Sequence, residues 1–259
     1  MSLRLLPVIG LLAAVSALPA SADEASEKLK ATAAANLKKA DVTKFATVET
    51  DELIVCATLT EAKAKTLADQ LQKAHALARK ALQVEEKDNV WRGKLTVYYL
   101  PETKAYKNFV RTIAQTRPDE SHFFSLQGDA PFVAESGEVG DKPTEAEQFA
   151  ETAGHVAAAL LVKKGGGASP PTWVSGGFGR AVSLRAEGTN SKRYATYKAA
   201  ARRVVLGGAG RQPAPVSDAW AGRGKDGEVV ATSLMEYVSF APTSGAGAKF
   251  IAGFRPTEN

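Results

Sequence analysis

Cysteine, histidine and aromatic residues are all scarce in this chain of 259 residues. It has one cysteine, three histidines and 7% aromatics. The lone Cys56 excludes an internal disulfide framework and any cysteine-based zinc cluster. Only His75, His122 and His155 could supply imidazole, which leaves few ways to build a metal site. After the N-terminus no run approaches the roughly 20 apolar residues of a membrane span. Excess charge is also small: the formal net charge of +5 does not by itself mark a nucleic-acid-binding protein. No internal repeat appears. What remains is 44% hydrophobic and 24% charged residues, an ordinary globular composition for one large domain or two small ones.

Met1 to Ala22 reads as a secretory signal peptide. Arg4 supplies the positive start, Leu5 to Ala17 the apolar stretch, and Ala20-Ser21-Ala22 a small-residue cleavage site. No cysteine follows the apolar run, which disfavours a lipid anchor. The expectation is export to the periplasm or the exterior after cleavage near Ala22. Residues 23–43 are rich in Ala, Lys and Glu and poor in large apolar side chains, which fits either a tail or a surface helix.

Residues 44–259 read as one domain, sheet-rich to 143 and helical from 144. Phe45–Glu49 and Leu53–Ala57 flank a polar Thr-Asp-Glu and predict a hairpin. Thr60 opens a helix to about Val84, with Leu67, Leu71, His75 and Leu82 on one face, so His75 reads as a core or boundary residue. Leu95–Leu100 is a strand stopped by Pro101, and Thr103–Thr116 a helix. Ser121–Leu126 and Ala130–Ala134 predict two more strands, with His122 on one surface of the sheet and Glu135–Lys142 as a polar loop. Helices follow at Thr144–Lys164, Thr172–Ala186, Ser191–Leu206 and Val229–Phe240, with a weaker one near Ala246–Phe254. The pattern is α+β: a small mixed or antiparallel sheet of four or five strands with helices, then a helical half.

The most informative stretch runs from Phe149 to Arg185. It has an apolar helix ending in Leu160-Leu161, a glycine loop, then Pro171-Thr-Trp-Val-Ser-Gly-Gly-Phe-Gly-Arg. This frame resembles the active-site region of the gluzincin metallopeptidases, the thermolysin-like (peptidase MA-like) group. There an H-E-x-x-H helix is followed by a segment like P-x-W-[LV]-x-E-G-x-A-E. Upstream, Trp91–Tyr98 and Tyr106–Arg111 resemble exported bacterial members of the same group, so the resemblance spans about Phe45 to Phe254. It implies a zincin-like fold. In the parent chemistry two histidines four apart and a third ligand hold zinc, and the glutamate takes a proton from metal-bound water.

Carried over residue by residue, the reactive groups are missing. His155 falls at the first histidine, Val156 at the general base, Ala159 at the second histidine, Gly176 at the third ligand, and Arg180 at the following acidic position. A second frame puts Gly154 and Ala158 at the histidines and His155 at the glutamate, and keeps less. In either frame no catalytic residue, metal or cofactor is expected, and the resemblance implies a pseudoenzyme. A cleft around His155, Trp173, Ser175 and Arg180 would then hold a ligand or partner without cleaving it. The alternative is a metal-dependent hydrolase with a relocated site on Glu147, Glu151 and His155, which are spaced to share a helix face. A third reading has the cleft collapsed around Val156 and Ala159. A Ser175–His155 hydrolase is disfavoured, because Ser175 is not in a G-x-S-x-G turn and the sequence places no acid to orient the histidine.

From Arg180 to Arg211 eight basic residues face one acid, Glu187. Lys192, Arg193, Arg202 and Arg203 share one predicted helix with Tyr194 and Tyr197. This is either a solvated face or a surface for an anionic partner. The partner classes that fit are a protein, a peptide or an anionic envelope polymer. Export argues against nucleic acid.

Overall fold

The computed structural model describes residues 22–91, 93–137, 143–165, 170–207, 217, 224–241 and 249–250. The architecture is mixed α+β. The proposed signal segment lies outside the described residues, apart from Ala22, and so does most of the weak last helix. No described helix is long and apolar enough to cross a membrane.

The chain runs α1 (Ala22–Lys39), β1 (Ala46–Glu49), β2 (Leu53–Ala57), α2 (Glu61–Ala81), β3 (Leu95–Tyr99) and α3 (Thr103–Phe109). A π-helical turn over Val110–Ala114 extends α3. Then come β4 (His122–Ser125), β5 (Phe132–Glu135), α4 (Glu145–Lys164), α5 (Thr172–Glu187), α6 (Lys192–Leu206) and α7 (Gly224–Phe240). The strands form one sheet in the order β1-β2-β3-β5-β4. The pairs β2–β3 and β3–β5 are parallel, and both edge pairs are antiparallel. Parallel neighbours cannot be joined by a tight turn, so α2 and α3 serve as crossovers.

Side chains alternate across the sheet. Leu53, Val55, Leu95, Val97, Tyr99 and Val133 face α2, α4 and α5 in one core. Ile54, Cys56, Tyr98, Phe132 and Ala134 face α1 and α3 in a second. The segment 23–43, read as tail or surface helix, is largely a packed helix. Leu29, Ala33 and Leu37 are buried at a three-to-four-residue spacing and close the second face of the sheet. His75 is fully buried, accepting a hydrogen bond at Nε2 from Trp91 Nε1 at 3.0 Å. Burial pushes its pKa down to about 4, so it is neutral near pH 7.

Several boundaries differ from the sequence reading. The helix expected to reach Thr116 ends at Ala114, followed by Gln115 in a left-handed conformation (φ 53°). Strand β5 includes Glu135, which the sequence pattern places in a loop. The chain turns out two residues later at Gly137, where φ is +67° and a side chain would collide with the Tyr99 hydroxyl.

Candidate functional site: a histidine–carboxylate cluster in a glycine-walled cavity

Strand β4, with helices α4, α5 and α7, lines a cavity of about 580 Å³. Its polar floor follows from strand register. Glu135 is two residues beyond Val133, so it points to the α4 side, and it pairs in register with His122 of β4. On α4, Gly154, His155 and Ala158 line the cavity, and from α5 come Trp173, Ser175, Gly176 and Arg180. Of the positions matched to the metallopeptidase frame, His155, Gly176 and Arg180 are therefore brought together. Val156 and Ala159 are not. Both are fully buried in the core that α4 shares with the sheet, and neither lines the cavity. The cavity-facing positions of α4 are those of the second frame. All four expected cleft residues, His155, Trp173, Ser175 and Arg180, line one cavity, so the space is open and not collapsed.

His155 is held at both ring nitrogens. Nδ1 lies 2.9 and 3.0 Å from the two oxygens of Glu135, and Nε2 lies 3.5 Å from Glu151 Oε1, one turn earlier on α4. The Glu135 side chain is 2% exposed and that of His155 16%. Burial drives the Glu135 carboxyl up to about 7, against the pull of the histidine. Burial also opposes charge on His155, but Glu135 and Glu151 outweigh it and hold its pKa above the usual value. Each group thus keeps its proton to a higher pH than it would in water. His122 stacks on His155, with ring centroids 4.0 Å apart and planes 24° from parallel. Burial, then the adjacent imidazolium, presses His122 down to about 3, so one of the two stacked rings stays neutral.

Glu135 is the residue that sequence reading missed. It supplies the orienting acid that a Ser175–His155 arrangement was thought to lack. The rest of that arrangement is absent: Ser175 Oγ donates to the Thr172 carbonyl at 3.3 Å, and Nε2 of His155 faces Glu151. The relocated metal set is also not assembled. Glu147 completes a capping box, its carboxylate accepting from Thr144 N at 2.8 Å while Thr144 Oγ accepts from Glu147 N. Hydrogen bonds from Thr144 hold that carboxyl below its usual pKa. Among the described residues no three His, Cys, Asp or Glu side chains are arranged to hold a metal ion.

Glycine shapes the walls. A Cβ on Gly179 would overlap the Gly154 carbonyl oxygen, and one on Gly177 would come within 2.8 Å of the Ala231 carbonyl oxygen. Helix α5 therefore touches α4 on one side and α7 on the other, backbone to backbone. Gly176, by contrast, faces open space, with Arg180 Nη1 4.0 Å from where its Cβ would stand.

Half of the basic stretch is ion-paired. Arg185 and Lys198 pair with the buried Glu236, to which Tyr194 also donates, Arg193 pairs with Glu187, and Arg180 with Glu228 at 3.3 Å. Lys192, Arg202 and Arg203 are exposed and make no ion pair with a described residue. Arg211 lies outside the described residues.

The chain matches no family model, no curated protein and no solved structure.

Proposed function

We propose that this chain is an exported, non-catalytic binding or scaffold protein, a zincin-like and degenerate relative of the gluzincin metallopeptidases, which holds its ligand in the cavity between α4, α5 and α7. The observation that carries the reading is the state of His155. Nδ1 is hydrogen-bonded to Glu135, Nε2 stands 3.5 Å from Glu151, and Gly154, Ala158, Gly176 and Gly179 are among the lining positions on α4 and α5. With Nε2 turned to Glu151, the imidazole presents no nitrogen to a substrate, and the glycines and alanine add no reactive group while leaving space. The cavity volume suits a short peptide or a small polar molecule. Trp173 and Phe124 offer apolar contact, and Arg180, Glu151 and the imidazole offer polar contact.

The test joins metal content to hydrolysis and binding. After equilibration with zinc and dialysis, the purified protein should retain far less than one zinc per chain. It should cleave no member of a fluorogenic peptide mixture, and short peptides should quench Trp173 fluorescence in a signal lost in Trp173→Phe. Stoichiometric zinc, or hydrolysis abolished by His155→Ala, would overturn the reading.

A further inference from the structure

Helix α6 turns one whole face to solvent. Lys192, Ala195, Ala199, Arg203 and Leu206 recur three and four residues apart, with Arg202 beside them, and all six are exposed. The buried residues of the helix, Tyr194, Ala201 and Val204, lie on its other side. No acid stands anywhere on α6. The excess of positive charge extends to its neighbours: over α5, α6 and α7 eight Lys and Arg residues face four acids. Three of those acids hold other cations. Glu187 pairs with Arg193, Glu228 with Arg180, and Glu236 with Arg185 and Lys198. Lys192, Arg202 and Arg203 make no ion pair with a described residue, and they span about 15 Å of helix. A merely solvated helix face mixes the two signs of charge, and this one does not. Its last turn also presents apolar surface, with Val205 42% and Leu206 67% exposed. These are two of the three large hydrophobic side chains left exposed among the described residues.

We propose that the outer face of α6 docks on the surface of a lipid bilayer that carries anionic headgroups. Lys192, Arg202 and Arg203 meet the phosphates, and Val205 and Leu206 enter the boundary between headgroups and acyl chains. An acidic protein would match the cations alone. A bilayer surface matches both the cations and the apolar tip beside them. Arginine suits that boundary, because its stem lies along apolar surface while its guanidinium pairs with phosphate. The helix lies on the membrane and does not cross it. Each cation near such a surface is worth about fivefold in partitioning, so three of them give a reversible, salt-sensitive association. Helix α6 lines no part of the His155 cavity, so this docking does not depend on what that cavity holds.

The test places a polarity-sensitive dye on the helix tip. Cys56 is 1% exposed, so a thiol-reactive dye goes to the cysteine introduced in Leu206→Cys. A control carries the dye at Lys28→Cys, an exposed position on α1, which packs on the other face of the sheet. The probes are vesicles of phosphatidylcholine alone and of equal parts phosphatidylcholine and phosphatidylglycerol. The dye at position 206 should brighten and shift to the blue on the anionic vesicles, stay unchanged on the neutral ones, and revert in molar sodium chloride. The dye at position 28 should not respond. Adding Arg202→Glu and Arg203→Glu, both exposed, should weaken the response by roughly tenfold or more, with an unchanged circular dichroism spectrum. Equal response to neutral and anionic vesicles would overturn the proposal, as would full affinity after the two charge reversals. A signal at position 28 without one at 206 would put another surface on the bilayer. No response to vesicles, with binding of soluble polyglutamate instead, would replace the bilayer by an acidic protein.

Discussion

Glu135 would be an expensive residue to bury were it not for His155. Removing the imidazole in His155→Ala leaves a nearly inaccessible carboxyl without its partner. The expected loss at pH 8 is about 3–5 kcal/mol in urea unfolding. The double variant Glu135→Gln/His155→Ala should recover most of that, because no ionisable group is then buried unpaired. A double variant as unstable as the single one would mean that the pair matters through packing and not through charge. The pH dependence has a definite sign. Glu135 is raised to about 7, so between about pH 4.5 and 7 the folded state binds more protons than the unfolded, and stability falls as pH rises through that window. His155, also raised, adds in the same direction: its contribution is complete below its unfolded value and fades as pH passes its folded one. Glu135→Gln should therefore flatten the decline of stability between pH 4.5 and 7 by up to about 3 kcal/mol. An unchanged slope would assign the decline to other groups. The spacing of Glu151 and His155 on α4 was legible in the sequence, but the buried carboxylate of Glu135 was not. A charged residue before Ser136-Gly137 looks like the start of a loop, and only the alternation Phe132, Val133, Ala134, Glu135 marks it as the end of a strand facing α4.

Among the elements, α5 shows why equal residues carry unequal meaning. Sequence reading singles out Gly176, at the third-ligand position, and gives Gly177 and Gly179 no role. In the fold, Gly179 and Gly177 are the contact points of two helix crossings, and Gly176 touches almost nothing. Gly179→Ala forces a methyl group into the α4 backbone, which cannot swing aside as a side chain can. A loss of about 3 kcal/mol is expected. Gly176→Ala adds the same methyl to open space and gains helix propensity, so it should stabilise by up to about 1 kcal/mol. Thermal melts of the two variants should shift in opposite directions, and a shared direction would show that the α4–α5 crossing is looser than described. Most elements were legible because their signals are local: Leu67 and Leu71 for α2, Pro101 after β3, Thr144 with Glu147 before α4. The sheet order was not, since nothing local tells β5 to lie between β3 and β4. The start of α7 at Gly224 was hidden by the glycines at 224 and 227, which read as breakers.

For the molecule as a whole, the question is whether the second face of the sheet depends on α1. Cys56 is a built-in reporter. It lies on β2, faces α1 and α3, and is 1% exposed. Burial pushes its thiol up to about 11, against a weak contact from Thr47, so the intact protein presents almost no thiolate at pH 8. Labelling by a disulfide reagent must then wait for α1 to leave or for the whole fold to open. Leu37 is fully buried at this interface, and Leu37→Ala should lose about 2–5 kcal/mol. Where reclosing outpaces the reagent, the labelling rate follows the open population, and each 1.4 kcal/mol is a factor of ten. A loss near 3 kcal/mol therefore predicts roughly hundredfold faster labelling of Cys56 in Leu37→Ala. Removing residues 23–43 should bring labelling close to the rate of a free thiol, because Ile54, Tyr98 and Phe132 lose their cover together with Cys56. If both changes left the rate where it was, α1 would be an appendage and the sheet closed by α3 alone. If Leu37→Ala accelerated labelling but left urea unfolding unchanged, α1 would open as a unit of its own, ahead of the core that carries His155.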